Sequence, residues 1–136
     1  RILLRYRNRR NNFRSRKGIK RGKSKDSYLG CGTGAGGDLS GKEVGSHLQM
    51  GIGDGLVPKI LNQQIYDDIV IITDEEALKT AKDLAAKEGL MCGITGGTNV
   101  AAAQKMARKL GKGKTIVTIL PDTAERYFST PLFDEQ

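Results

Sequence analysis

Two segments of this 136-residue chain combine residue types that could bind a ligand. Asp122 and Thr123 follow the apolar run Lys114-Thr-Ile-Val-Thr-Ile-Leu120, which predicts a strand that Pro121 ends. In parallel sheets ligands bind beyond the carboxyl ends of the strands, where Asp122 and Thr123 would lie. Gly51-Ile-Gly-Asp-Gly55 is a glycine-rich segment, which alone is a weak signal of a binding site. Taken alone, Thr123 also fits a turn cap, and the glycines fit an ordinary turn.

The elements that would hold these residues alternate between strand and helix. Asp68-Ile-Val-Ile-Ile72 is β-branched, as a buried parallel strand should be. Thr73 or Asp74 can cap the next helix, and Gly89 can end it. The order predicts an α/β protein with a partial parallel sheet and flanking helices. The predicted strands are 68–72, 114–120 and a candidate short strand at 90–92. The predicted helices run from the cap at 73 or 74 to Gly89 and from 96 to about 110–111.

The net charge of +8 is concentrated in the first part of the chain. Residues 1–37 contain 12 of the 23 Lys and Arg residues and one acid, Asp26, whereas residues 38–136 carry a net charge of −3. The basic segment has no amphipathic period, so its composition predicts a poorly ordered arm. Such an arm would attract nucleic acid nonspecifically, mainly through residues 1–25.

The two cysteines, Cys31 and Cys92, fit neither a metal-binding spacing nor a disulfide framework. Cys92 lies in an apolar context and is predicted to be a buried thiol, which suits a reducing compartment. No apolar run approaches the roughly 18–20 residues needed to span a membrane. We therefore expect a cytoplasmic protein that has no metal site and does not act at a membrane.

Five segments together resemble the C-terminal half of cysteine synthase (O-acetylserine sulfhydrylase), a pyridoxal-phosphate (PLP) enzyme. The resemblance runs from about Asp38 to Phe133, and the segments occur in the family's order. Each motif is weak alone, but five in the right order make the family assignment specific. The matching segments are Leu39–Lys42, Gln49–Gly55, Thr73–Ala77 with Glu88–Leu90, Gly93–Gly97 and Leu120–Phe133.

The resemblance implies a fragment of the fold type II PLP-enzyme fold, which is tryptophan synthase β-like. The parent reaction would be β-replacement, in which O-acetylserine and sulfide give cysteine and acetate, and the parent enzyme would be a homodimer. Cystathionine β-synthase has the same fold, but Glu125-Arg-Tyr-Phe-Ser-Thr-Pro-Leu132 favours cysteine synthase. A catalytically inactive subunit that pairs with an intact synthase and a non-enzymatic, basic-armed nucleic-acid-binding module are the alternatives.

The resemblance also assigns roles to two sets of residues between 38 and 136. Thr123 matches the position whose side chain hydrogen-bonds the pyridine nitrogen of PLP. Gly51, Ile52 and Gly53 match the loop that walls the active site beside the substrate. The motif Gly93-Ile-Thr-Gly-Gly97 replaces the commoner Gly-Ile-Ser-Ser-Gly, so Thr95 and Gly96 depart from the family pattern.

The phosphate-binding part of the family site is altered in this chain. The family cradles the PLP phosphate with backbone N–H groups of a Gly-Thr-Gly-Gly-Thr loop at a helix N-terminus. Bulky side chains at those positions cannot form such a tight cradle. No lysine among these residues matches the one that forms the Schiff base with PLP, so we expect no catalytic residue and no activity from this chain alone. The positions of the loop are occupied by Arg7, Asn8, Arg9, Arg10 and Asn11.

A one-base shift in reading frame relates residues 1–37 to the family phosphate loop. The family's Gly-Thr-Gly-Gly-Thr-Ile-Ser-Gly can be encoded as GGA ACA GGA GGA ACA ATT TCA GGA. Read one base earlier, with A preceding, these codons give Arg-Asn-Arg-Arg-Asn-Asn-Phe-Arg, which is the sequence from Arg7 to Arg14. Shifting the family's Val-Glu-Pro likewise gives Cys31-Gly-Thr33. We therefore expect residues 1–37 to be out of frame and residues 38–136 to be the synthase-like domain.

Overall fold

The structure is a computed structural model, and it describes residues 2–5, 27–33, 48–49, 66–130 and 132. Four of the described segments are strands, and all of them run parallel in one sheet. The sheet has the order β3-β2-β1-β4, so the first two strands of the chain lie in its middle. The strands are β1 (Ile2–Arg5), β2 (Ser27–Thr33), β3 (Asp68–Ile72) and β4 (Ile116–Val117).

The pairing of the strands is in register along the whole described sheet. β2 pairs with β3 from Leu29 opposite Asp68 to Thr33 opposite Ile72. β1 pairs with β2 on one side and with β4 on the other. The predicted α/β class, with a partial parallel sheet and flanking helices, is therefore confirmed.

Helix α1 (Asp74–Glu88) begins and ends as its sequence predicts. The Thr73 side chain accepts a hydrogen bond from the backbone N–H of Glu76, and the Glu76 carboxylate accepts one from the N–H of Thr73. This capping box satisfies two N–H groups that a helix start would otherwise leave without partners. Gly89 ends the helix with φ 67°, a left-handed conformation that glycine adopts without strain.

Helix α2 (Ile94–Leu110) is the element around which the others pack. It contacts α1 and all four strands. The side chains at the interface are small, and Ala77, Ala81 and Ala102 are almost completely buried. Ile72 at the end of β3 and Ile94 at the start of α2 are the largest fully buried apolar side chains of this core.

Three predicted element boundaries differ from the structure. Helix α2 begins at Ile94 rather than Gly96, because the Asp122 carboxylate, from a distant part of the chain, accepts a hydrogen bond from its first turn. Residues 90–92 are not a strand, since Cys92 makes one isolated antiparallel bridge. The strand predicted at 114–120 is shorter in the structure, where β4 comprises Ile116–Val117. Beyond it, the backbone carbonyl of Ile119 accepts a hydrogen bond from the Asn99 side chain.

Residues 1–37 contain two strands that their composition does not predict. Short apolar runs inside the basic segment, Ile2-Leu-Leu4 and Tyr28-Leu29, supply β1 and β2. The expectation of a poorly ordered arm therefore does not hold for 2–5 and 27–33, because long-range pairing in the sheet overrides the local composition. The other residues of this segment lie outside the described part of the chain.

Among the described residues, no helix is both long enough and apolar enough to cross a bilayer.

The close approach of α2 to α1 yields a prediction at Gly97. A Cβ at this position would overlap the carbonyl oxygen of Ala77 and lie 3.0 Å from the Cβ of Ala81. We expect Gly97→Ala to lower the free energy of unfolding by about 1–3 kcal/mol, because overpacking outweighs the better helix propensity of alanine. Gln104→Ala on the exposed face of the same helix should change it by less than about 0.5 kcal/mol. Denaturant unfolding measures both, and equal effects would contradict the close contact.

Candidate functional site

Thr123 lies in extended backbone immediately before a short 3-10 helix, Ala124–Tyr127. Its φ and ψ are −105° and 154°, and its side chain makes no capping hydrogen bond to that helix. The residue is exposed. The hydroxyl of a residue at a helix start normally accepts a hydrogen bond from the helix backbone. The Thr123 hydroxyl accepts no such bond, so it is available to a ligand.

The backbone around Thr123 is held by contacts with the segment that precedes α2. Thr123 forms an isolated antiparallel bridge with Cys92. The N–H of Ala124 donates to the carbonyl of Met91 at 3.2 Å, and the N–H of Gly93 donates to the carbonyl of Asp122 at 3.4 Å. These hydrogen bonds place residues 122–124 beside the N-terminus of α2.

The Asp122 carboxylate supplies the side-chain cap that α2 otherwise lacks. Gly93, the residue at the N-cap, has no side chain to accept a hydrogen bond from the first turn. Asp122 Oδ1 instead accepts the N–H of Gly96 at 3.1 Å, and Asp122 Oδ2 accepts the hydroxyl of Tyr127. A carboxylate is favoured here because the N-terminus of a helix carries partial positive charge.

The hydroxyl of Tyr127 is a hydrogen-bond donor throughout the ordinary pH range. Burial raises the pKa of Tyr127 to about 12, and the hydrogen bond to Asp122 and the charge of that carboxylate act in the same direction. A hydrogen bond from Thr95 and the charge of Arg126 oppose this rise. Thr95, where the family commonly has serine, therefore keeps a hydroxyl in contact with the same cluster.

Gly96 departs from the family's serine for a steric reason. A Cβ at Gly96 would lie 2.7 Å from the Cβ and 2.9 Å from the Sγ of Cys92. The side chain of Cys92 occupies the space that a serine would need. The glycine at position 96 and the cysteine at position 92 are therefore complementary in size.

Both cysteines are buried and unsuited to nucleophilic chemistry. Cys92 is 3% exposed, which confirms the predicted buried thiol. Burial raises the pKa of Cys92, and the nearby charge of Asp122 raises it further. Burial also raises the pKa of Cys31 to about 12. Both groups are thiols rather than thiolates at neutral pH, so neither is an activated nucleophile.

Gln49 is a buried polar residue whose role the sequence analysis missed. Its side chain is completely buried, and its Nε2 donates to the carbonyl of Ile72 at 3.1 Å and to Asp74 Oδ1 at 2.8 Å. Its Oε1 accepts the hydroxyl of Thr98 at 2.7 Å. The N–H of Leu48 donates to Asp74 Oδ2 at 2.6 Å. One amide thus joins β3, α1 and α2, and the only sequence signal was an amide between apolar neighbours.

The remaining predicted site residues lie outside the described part of the chain. This applies to the substrate loop, Gly51, Ile52 and Gly53, and to the five phosphate-loop positions from Arg7 to Asn11. The strand that precedes the phosphate-loop positions is described, because β1 ends at Arg5. Thr123 is the predicted cofactor-binding residue whose surroundings can be described.

The parallel sheet and the helix whose N-terminus meets the Pro-Asp-Thr turn place the chain in the α/β class. Residues 25–122 match the family described as pyridoxal-phosphate dependent enzyme. The chain belongs to this family. The match begins inside the basic segment, at the residues leading into β2.

Cysteine synthases are among the proteins that this chain is similar to. The chain is 45% identical over 95 residues to a cysteine synthase of Staphylococcus aureus and 50% identical over 95 residues to cysteine synthase B of Campylobacter jejuni. Each match covers 70% of this chain but 31% of the relative, so the chain spans about a third of their length. The crystal structure of a cysteine synthase from Entamoeba histolytica superposes with a TM-score of 0.91 at 31% identity, covering 99% of this chain and 41% of that one.

The Gln49 side chain provides the testable prediction of this site. Gln49→Leu should lower the free energy of unfolding by about 1–3 kcal/mol, because it leaves the buried Ile72 carbonyl without the Gln49 amide donor and removes one of the two acceptors of the Thr98 hydroxyl, the other being the Ile94 carbonyl. Gln104→Leu, on the exposed face of α2, should have little effect. Thermal and urea unfolding compare the two variants. Introducing Thr98→Val should cost less in the Gln49→Leu background than in the native chain, and strict additivity would contradict the bond between them.

Proposed function

We propose that this chain contributes the pyridine-binding side of the active site of a cysteine synthase. The reaction would be β-replacement, in which O-acetylserine and sulfide give cysteine and acetate. Homology to cysteine synthases over 95 residues and the exposed Thr123 hydroxyl support the proposal. The activity belongs to a complete enzyme that also holds the Schiff-base lysine, and we propose that the 136 residues alone bind no PLP and form no cysteine.

The Thr123 hydroxyl is the observation that carries the proposal. It is exposed, makes no capping hydrogen bond and lies where the family places the partner of the pyridine nitrogen, so it fits the cofactor. Bound PLP would supply an electron sink for elimination and replacement at the β-carbon of the substrate. The neutral Thr123 hydroxyl would hold the ring at its nitrogen and would leave that nitrogen largely unprotonated, which suits this chemistry.

The phosphate end of the cofactor fits this chain less well. β1 ends at Arg5, and the residues after it correspond to the family phosphate loop. That place is expected for a phosphate, because ligands of parallel sheets lie beyond the carboxyl ends of strands. The residue types from Arg7 to Asn11 supply positive charge but lack the glycines of a close backbone cradle. We therefore propose that the arm weakens phosphate binding.

Three other roles remain predictions, and the observations support them less than they support a cysteine synthase. A cystathionine β-synthase activity would share the site, and a homodimer or a pairing with an intact synthase would need residues beyond those described. A nucleic-acid-binding arm at residues 1–25 is less favoured because β1 lies inside the sheet. Nonspecific binding to nucleic acid would weaken steeply with salt, which an electrophoretic shift assay measures.

Completing the enzyme should restore cofactor binding. In the completed enzyme, an N-terminal portion of the Staphylococcus aureus relative and an in-frame phosphate loop replace residues 1–37. It should bind PLP, as read from the visible absorbance band, and form cysteine from O-acetylserine and sulfide. Thr123→Ala should slow cysteine formation by roughly tenfold, because a hydrogen bond contributes about 0.5–1.5 kcal/mol.

Thr115→Ala is the matched control, since Thr115 is exposed and lies before β4. It should leave PLP binding and the rate unchanged. Equal rates in the native and Thr123→Ala enzymes would refute the role of Thr123. A folded enzyme that binds no PLP would refute the proposed function itself.

The reading-frame hypothesis predicts the nucleotide sequence of the gene. Resequencing the codons for residues 1–37 should find a single-base difference that restores the family loop ahead of Leu39. A clean read that again encodes the same arm, together with the same arm in the closest homologous genes, would contradict the hypothesis.

A further inference from the structure

We infer that the free edge of β4 and the apolar side chains beside it form the surface on which the remaining part of a cysteine synthase packs. The inference rests on the proposed function, because it names the partner that the candidate site needs. The docking surface consists of the outer edge of β4 and the side chains of Val117, Ile119 and Leu120.

Among the described strands, β4 has a partner along one edge and none along the other. The sheet order is β3-β2-β1-β4, so β4 ends the sheet and pairs with β1. Parallel sheets are normally covered on both faces. An apolar edge strand presents unpaired N–H and C=O groups to which another chain can bind.

The side chains of β4 and of the residues after it alternate in exposure. Ile116 is half-buried and packs against the core beside α2. Val117 is 44% exposed and Ile119 is 37% exposed, with the half-buried Thr118 between them. Successive side chains of a strand point to opposite faces, so Val117 lies on the face of the sheet turned away from α2.

The exposed apolar side chains are concentrated at this edge. Seven large apolar side chains are exposed in the described part of the chain, and three of them lie within residues 117–120. Single exposed apolar residues are ordinary on a protein surface, whereas a contiguous group marks an interaction surface.

The length of the relatives identifies the occupant of this surface. The chain spans 31% of each cysteine synthase that it matches, so about two-thirds of each relative lies outside the match. An apolar sheet edge on the shared part is a place where those further residues can be buried. A second copy of this chain fits less well, because each copy carries a net charge of +8 and two copies repel.

The docking surface leads directly into the candidate site. Ile119 and Leu120 come immediately before the turn Pro121-Asp122-Thr123. A partner on the outer edge of β4 therefore comes close to the exposed Thr123 hydroxyl. A complete active site needs further residues on that side.

Thiol labelling tests whether the docking surface is covered in the completed enzyme. In the 136-residue chain, Val117→Cys and the control Gln104→Cys, on the exposed face of α2, should both react rapidly with a maleimide, since Cys31 and Cys92 are buried. In the completed enzyme, Val117→Cys should react at least about tenfold more slowly, and Gln104→Cys at an unchanged rate. An unchanged rate for Val117→Cys overturns the inference.

Association of separate chains replaces this measurement if the completed enzyme does not fold. The part of the Staphylococcus aureus relative that precedes the matched residues is coexpressed with the tagged 136-residue chain. The native chain and Gln104→Asp should retain it equally, whereas Val117→Asp should retain about tenfold less, because an unpaired carboxylate is costly to bury. Failure of the native chain to retain it, or equal retention by Val117→Asp, overturns the inference.

The oligomeric state of the 136-residue chain separates a second copy from the proposed partner. Analytical ultracentrifugation should find a monomer, with and without Val117→Asp. A dimer that Val117→Asp dissociates would put a second copy on the edge of β4 and overturn the inference. A completed enzyme that protects Val117→Cys but binds no PLP would support the docking surface and refute the proposed function.

Discussion

The start of α2 can approach its neighbours closely because the residue before the helix, Gly93, and two residues of its first turns, Gly96 and Gly97, are glycine. Gly97 leaves room for the backbone of α1, Gly96 leaves room for the side chain of Cys92, and Gly93 leaves room for Asp122 and Tyr127. The remaining contacts follow from this approach. Small residues of α1 and α2 close the core, and the turn that carries Thr123 can reach the N-terminus of α2.

Single polar side chains join the elements where backbone pairing stops. Gln49 bonds the last carbonyl of β3, Asn99 bonds the carbonyl of Ile119, and Asp122 bonds the start of α2. Each replaces a hydrogen bond that a longer strand or a polar cap would have supplied. Such groups are costly to leave without a partner, which makes these bonds specific for one arrangement. Within the part of the chain that the structure describes, Asn99 Oδ1 and the hydroxyls of Thr33 and Thr118 are buried without a hydrogen-bond partner.

The parts of the fold that local chemistry determines could be predicted from the sequence. The capping box of Thr73 and the left-handed Gly89 fix both ends of α1 within a few residues of chain. The start of α2 could not be predicted this way, because its cap, Asp122, comes from a distant part of the chain. The strands β1 and β2 were missed for the same reason, since their pairing partners are remote and their surroundings are basic.

In the candidate site, the sequence identified Thr123, whose hydroxyl is available, but not the residues that hold the turn around it. Thr123 could be predicted as a cofactor-binding residue because a family motif surrounds it. The hydrogen bonds of Asp122 with Gly96 and Tyr127, and those of Gln49, depend on which elements meet in space. Residue order alone does not contain that information.

The strand order has a consequence for how the chain is synthesised. β1 is a central strand, and one of its edges pairs with β4, which brings Ile2 opposite Ile116. On the ribosome β1 therefore emerges long before β4, and contacts so distant in sequence form slowly. During that interval an apolar strand edge is exposed to other nascent chains. The 12 Lys and Arg residues of the first 37 repel one another between such chains, and charge of this kind protects unpaired edges against aggregation.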